Sequence, residues 1–145
     1  MNQKPGGKIQ SWNNARVAVI GLARSGVAAC HFLHTRGARV LGADRRSGEE
    51  LGGVAKELAD AGILTDLGSH PDLAGFDAII LSPGVDPAQD FIVKAQRAGA
   101  LILPELELGA SEASGRIVCT TTSRPSRLVS RWCRSWQNAE LLRTR

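Results

Sequence analysis

Three short motifs hold the residues of this 145-residue chain whose types and spacing could do chemistry. Gly21-Leu22-Ala23-Arg24-Ser25-Gly26 stands where a β-branched run gives way to a helical pattern, and an acid, Asp44, ends the next apolar run. In such a context the first glycine permits a tight turn and a small second residue lets backbone N–H groups approach a diphosphate. The third lets the helix close on the sheet, and the helix N-terminus supplies positive potential. Here the second glycine is replaced by Ala23, whose Cβ stands where a pyrophosphate would approach the backbone, a departure from the NAD fingerprint. A phosphate-bearing ligand and a purely structural turn are both open on this motif alone.

Asp44, at a strand C-terminus, has the chemistry to accept hydrogen bonds from a ribose diol or a nucleobase imide; its plainer role is to cap a loop. Arg24, Arg45 and Arg46 converge on the same expected edge, where guanidinium forks could hold phosphate, or each could be solvated. Ser82-Pro83-Gly84-Val85 ends a later apolar run at that edge, with Pro83 fixing the backbone and Gly84 allowing a ligand to come close; a bland turn is the alternative. His31 and His34 lie one helical turn apart without a carboxylate or cysteine at ligand spacing, so no metal site is expected. His70 precedes Pro71 and reads as a turn residue. Glu105 and Glu107 read as partners of a helix N-terminal dipole rather than as an acid/base pair.

The elements that must place these motifs alternate. Residues 16–22 form a run expected to be a strand buried on both faces, followed by a helix that Ser25 caps and Arg36-Gly37 ends. Strands are expected at 38–43, 63–65, 77–81 and 100–103, and helices at 49–61, 87–98 and 105–113, with a further strand at 115–119. Strands alternating with helices imply an α/β, Rossmann-like parallel sheet with right-handed crossovers. Residues 1–15 are polar and aperiodic, and read as a frayed lead-in over the first strand.

Composition narrows the function classes. Hydrophobic residues make up 43% and charged residues 22% of the chain, ordinary globular material with enough apolar content for a core. No stretch approaches the roughly 20 apolar residues of a membrane span, and the polar start leads into no signal-peptide core, so a cytoplasmic protein is expected. Cys30, Cys119 and Cys133 form no CxxC and no even framework, which suggests neither a disulfide scaffold nor a zinc site. The net charge of +4 invites a nucleic-acid reading until it is divided. From Arg116 onward seven arginines face only Glu140, whereas residues 1–115 carry 11 Lys and Arg against 13 Asp and Glu. The body is mildly acidic, and the basicity belongs to a terminal segment that also holds two of the three tryptophans and no lysine.

Taken together, Val19-Ile20-Gly21-Leu22-Ala23-Arg24-Ser25-Gly26, Ile80-Leu81-Ser82-Pro83-Gly84-Val85 and Pro104-Glu105-Leu106-Glu107-Leu108 resemble, in order and spacing, the N-terminal domain of the D-glutamate-adding Mur ligases of peptidoglycan synthesis. The resemblance covers about residues 16–118, and the Ser-Pro-Gly-Val strand end is its most specific part. It implies a domain that holds the UDP end of UDP-N-acetylmuramoyl-L-alanine rather than NAD. Gly21, Ala23, Arg24, Ser25 and Gly26 would face the diphosphate, Asp44 and Arg45 the uridine, with Ser82 and Gly84 alongside the nucleotide. In that family a central domain uses ATP and Mg²⁺ to activate the substrate carboxylate, and a C-terminal domain brings D-glutamate to it.

After a strand like 115–119 the family continues with a Thr-Gly-Thr-Asn-Gly-Lys-Ser/Thr phosphate loop. This chain reads Thr120-Thr121-Thr122-Ser123-Arg124-Pro125-Ser126-Arg127, without glycine or lysine. A reading-frame change would account for the difference. If residues 123–127 are encoded AGT CGA CCG TCT CGN after an A, stepping back one nucleotide gives Lys-Ser-Thr-Val-Ser, and with suitable codons the same step can turn residues 131–138 into the helix-like Ala-Met-Val-Gln-Glu-Leu-Ala-Glu. The expected organisation is therefore a lead-in at 1–15, a UDP-substrate-binding domain at 16–119 and an aberrant, disordered basic tail at 120–145. Such a chain has no cofactor and no ligase activity of its own. It is expected to be a monomer that binds a small molecule and neither nucleic acid nor membrane. Two alternatives stand beside it: an NAD(P)-binding Rossmann module, and a basic-tailed interaction protein using Trp132 and Trp136.

Overall fold

The computed structural model describes residues 11–112. The strand expected at 115–119, the last residue of the helix expected to reach 113, the tail and most of the lead-in lie outside them. The described elements follow the order read from the sequence, strands and helices alternating except between β3 and β4: β1 Arg16–Ile20, α1 Arg24–Thr35, β2 Arg39–Asp44, α2 Val54–Asp60, β3 Leu64–Leu67, β4 Ala78–Leu81, α3 Asp90–Arg97, β5 Leu101–Pro104 and α4 Glu105–Glu112. All four strand pairings are parallel, in the order β3-β2-β1-β4-β5. β1 is central because it is apolar on both sides. Val17, Ala18 and Val19 are fully buried, as are Ala78, Ile79 and Ile80 of the neighbouring β4.

Side chains alternate across this sheet into two cores. Val17, Val19, Val40 and Ile80 meet Cys30 and Leu33 of α1, Leu58 of α2 and Leu108 of α4. Ala18, Ile20, Ile79 and Leu81 meet Ile92 and Ala95 of α3, with Leu73 and Phe76 from the connection before β4. Among the described residues no helix is long and apolar enough to cross a membrane.

Three expectations need correction. The second helix does not start at 49: Gly52 adopts φ +59° and residues 49–53 form turns, so the helix begins at Val54. Ser25 does not cap α1; Ala23 occupies the cap position, without a side-chain cap, and Ser25 falls inside the first turn. The end of the lead-in is not frayed. Trp12 is buried in the core, the Asn14 N–H donates to the Gly37 carbonyl at 2.8 Å, and the Arg39 N–H donates to the Ala15 carbonyl at 2.8 Å.

Candidate functional site

The strand order turns at β1: the chain proceeds outward through β2 and β3, then returns to β4 on the opposite side. In open parallel sheets this reversal parts the loops at the strand C-terminal ends and leaves a crevice there. The C-terminal ends of β1, β2 and β4, with the turns and the start of α1 that follow them, carry Gly21 to Gly26, Asp44 to Arg46, Ser82 and Gly84.

Gly21 ends β1 with φ +97°, a conformation that side chains disfavour, and a Cβ on it would lie 2.8 Å from the Cβ of Ser82. Gly26 lies where α1 crosses this turn, and a Cβ there would stand 1.9 Å from the Gly21 carbonyl oxygen. The two glycines together bring the start of α1 down on the end of β1. That start has no side-chain cap and no acid in its first turn, so its leading N–H groups are left for solvent or a ligand. Ala23, Arg24 and Ser25 are exposed around it.

Asp44 is buried, and its carboxylate is fully engaged. Oδ2 accepts from the Leu22 N–H at 2.7 Å and from Arg46 Nη2 at 2.7 Å; Oδ1 accepts from the Arg46 N–H at 2.9 Å and from Arg46 Nε at 3.0 Å. The Arg46 fork, followed by these backbone N–H bonds, holds the carboxyl well below the usual range against the opposing effect of burial. Arg46 is therefore tied to Asp44 rather than presented to a phosphate. Arg24 and Arg45 are exposed, and among the described residues neither has a hydrogen-bond or ion-pair partner.

Ser82 follows β4 and is buried, its hydroxyl turned inward. The hydroxyl oxygen lies 2.8 Å from the Gly21 carbonyl and also makes a hydrogen bond with Oε1 of Glu105, the first residue of α4. Gly84 is exposed with open space where a Cβ would go. Glu105 is the residue that sequence reasoning missed. It belongs to a recognised motif, but its link to the loop crosses from the end of β5 to the end of β1, which no local spacing reveals. His31 Nε2 lies 3.0 Å from Glu57 Oε1, joining α1 to α2.

A parallel sheet that reverses at β1, with a glycine-built turn into an uncapped helix, defines a Rossmann-like α/β domain. A solved structure agrees at the level of fold: the A chain of dipicolinate synthase from Bacillus subtilis superposes with a TM-score of 0.53 at 16% identity, over 72% of this chain and 43% of that one. The family is narrower. The model for the N-terminal domain of MurD-like Mur ligases matches residues 15–103, and the chain belongs to that family. The UDP-N-acetylmuramoylalanine–D-glutamate ligase of Geobacter metallireducens is 36% identical over 107 residues, 72% of this chain and 24% of that protein. The ligase of the same name from Syntrophotalea carbinolica is 38% identical over 112 residues, 76% and 25% of the two chains. The chain spans about a quarter of the length of these curated relatives.

Proposed function

We propose that this domain binds the UDP end of UDP-N-acetylmuramoyl-L-alanine, the substrate of a D-glutamate-adding ligase. The observation that carries the reading is the uncapped start of α1, free of acids and set beside the unpartnered cations Arg24 and Arg45 at the reversal of the strand order. In this reading the N–H groups after Ala23, with the Ser25 hydroxyl and the Arg24 guanidinium, receive the diphosphate, while Gly21 and Gly26 shape the turn. Arg45 and the Asp44–Arg46 pair face the uridine. Asp44 reaches a ligand only when Arg46 releases it, a movement open to a side chain 44% exposed. Gly84 leaves room for the nucleotide to lie against the turn after β4.

Ligation of D-glutamate with ATP and Mg²⁺ is assigned to the family's whole enzyme, and no step of it is derived for these residues. Residues 120–127 carry neither the glycines nor the lysine of a phosphate loop, and no group of three or more His, Cys, Asp or Glu suited to a metal occurs among the described residues. The proposed domain organisation remains a UDP-substrate-binding domain at 16–119 followed by a basic tail, acting as a cytoplasmic monomer on a small molecule.

Titration of the 145-residue chain with UDP and, separately, with NAD, followed by amide NMR, tests the reading. Shifts at Ala23, Arg24 and Ser25 with UDP, lost in Arg24→Ala and weakened by salt, are expected. Saturable binding of NAD with no response to UDP overturns it in favour of a dinucleotide module.

A further inference from the structure

We propose that Glu105 is a positioning residue for the nucleotide-facing loop, acting through Ser82 on the single peptide that joins Gly21 to Leu22. This inference rests on the UDP-binding reading of the loop. The Gly21 carbonyl and the Leu22 N–H belong to the same rigid peptide plane, and both ends are held by side chains arriving from opposite sides of β1. Asp44, from the end of β2, takes the N–H at 2.7 Å; Ser82, just after β4, meets the carbonyl at 2.8 Å. α1 rests on this carbonyl so closely that Gly26 has no space for a Cβ. The tilt of one plane thus sets the direction of the turn through Leu22 and Ala23, and of the helix start that follows.

The Asp44 side of the clamp is fixed by four N–H donors, but the Ser82 side is a hydroxyl rotor with a single proton. Glu105 Oε1 and the Gly21 carbonyl are both acceptors for that one proton, so Glu105 sets how much of it the peptide receives. Its carboxylate meets the Ser82 oxygen, and it sits at the junction where β5 passes into α4 without an intervening residue. It is partly buried, and among the described residues it has no cation as partner. The side-chain hydrogen bond it makes here is the one to the loop's own support. The element after β5 is thereby connected to the turn after β1 by two side-chain contacts.

The test uses the full chain, isotopically labelled, with UDP as the probe and the Gly21 carbonyl and Leu22 amide resonances as a readout that needs no ligand. Glu105→Ala leaves the Ser82 proton to the Gly21 carbonyl alone; it is expected to shift both resonances and to change UDP affinity several-fold. Ser82→Ala removes the donor itself, moves the two resonances the opposite way and weakens UDP binding about tenfold, and Glu105→Ala has no further effect in that background. Glu105→Gln offers both an acceptor and a donor, satisfies Ser82 whichever way its proton points, and stays within about twofold of wild-type affinity. Wild-type affinity in Glu105→Ala, when UDP binds the unaltered chain, overturns the proposal and leaves the binding reading intact. If UDP does not bind the unaltered chain, the binding reading fails by itself, and unchanged Gly21 and Leu22 resonances in Glu105→Ala overturn the positioning role.

Discussion

Replacing Asp44 by asparagine separates a carboxylate kept for a ligand from one built into the loop. The carboxylate receives four N–H groups at 2.7, 2.9, 3.0 and 2.7 Å, whereas an amide has one oxygen and one NH₂ group. In the less costly orientation its oxygen keeps the Leu22 N–H and Arg46 Nη2. Its nitrogen then faces two donors, the Arg46 N–H and Nε, which must turn to water. Hydrogen bonds to ionised groups contribute about 1.5–3 kcal/mol each. Water reaches the half-exposed Arg46 and recovers part of that, so Asp44→Asn is expected to cost about 2 kcal/mol. In a domain of this size the melting midpoint falls by about 8–16 °C. Asp44→Ala also strands the N–H of Leu22, a residue only 1% exposed, and costs about 1–2 kcal/mol more.

The pH dependence has a definite sign. The folded pKa of Asp44 is depressed, so its contribution is complete above the unfolded value of about 3.9 and is lost as the pH falls toward the folded value. Urea unfolding at neutral pH should show the full difference between wild type and Asp44→Asn, narrowing below about pH 4. A difference under about 0.5 kcal/mol at neutral pH, the range of ordinary surface changes, or one that acidification leaves unaltered, refutes the reasoning.

Gly26→Ala gains about 1 kcal/mol of helix propensity. It places a methyl 1.9 Å from the Gly21 carbonyl, an overlap costing about 1–3 kcal/mol or more, so the net outcome in urea unfolding is destabilisation; a more stable variant contradicts the close approach. Gly84→Ala meets nothing within 4 Å and should leave stability within about 0.5 kcal/mol while weakening UDP binding several-fold; unchanged affinity removes Gly84 from the site. The Cys30 thiol is pushed up to about 12, first by burial and then by the charge of Glu105. Peptide mapping after iodoacetamide treatment at neutral pH should find it unmodified in the native protein and labelled in urea, and rapid native labelling contradicts its burial.

The order of elements was legible because the strands other than β3 (Leu64-Thr65-Asp66-Leu67) are short apolar runs bounded by glycine, proline or charge. Where the reading slipped, a local feature was decided by backbone geometry. Gly52 turns left-handed and shortens the second helix, and Ser25 falls two residues past the cap position. Within the site, the roles of Gly21 and Gly26 were legible because they are steric and follow from position between a strand and a helix. The engagement of Asp44 was not, since a carboxylate at a strand end looks the same whether it waits for a ribose or is closed by an arginine two residues on. Glu105 was harder still: it and Gly21 are separated by 84 positions in the sequence and are linked, through Ser82, only once β4 and β5 have paired beside β1.

The two cores also differ in how much they hold down. One face of the sheet is covered by α1, α2 and α4, and the other by the eight residues of α3 and the apolar side chains around Leu73 and Phe76. Leu22, from the turn before α1, is anchored in the heavier face, whereas Val85, from the turn after β4, packs into the lighter one. Local opening follows the density of buried contacts, so the two walls of the crevice differ in compliance. On the proposed reading, a ligand would have on one side the start of α1, anchored in the heavier face, and on the other residues 82–89, seated on the lighter one.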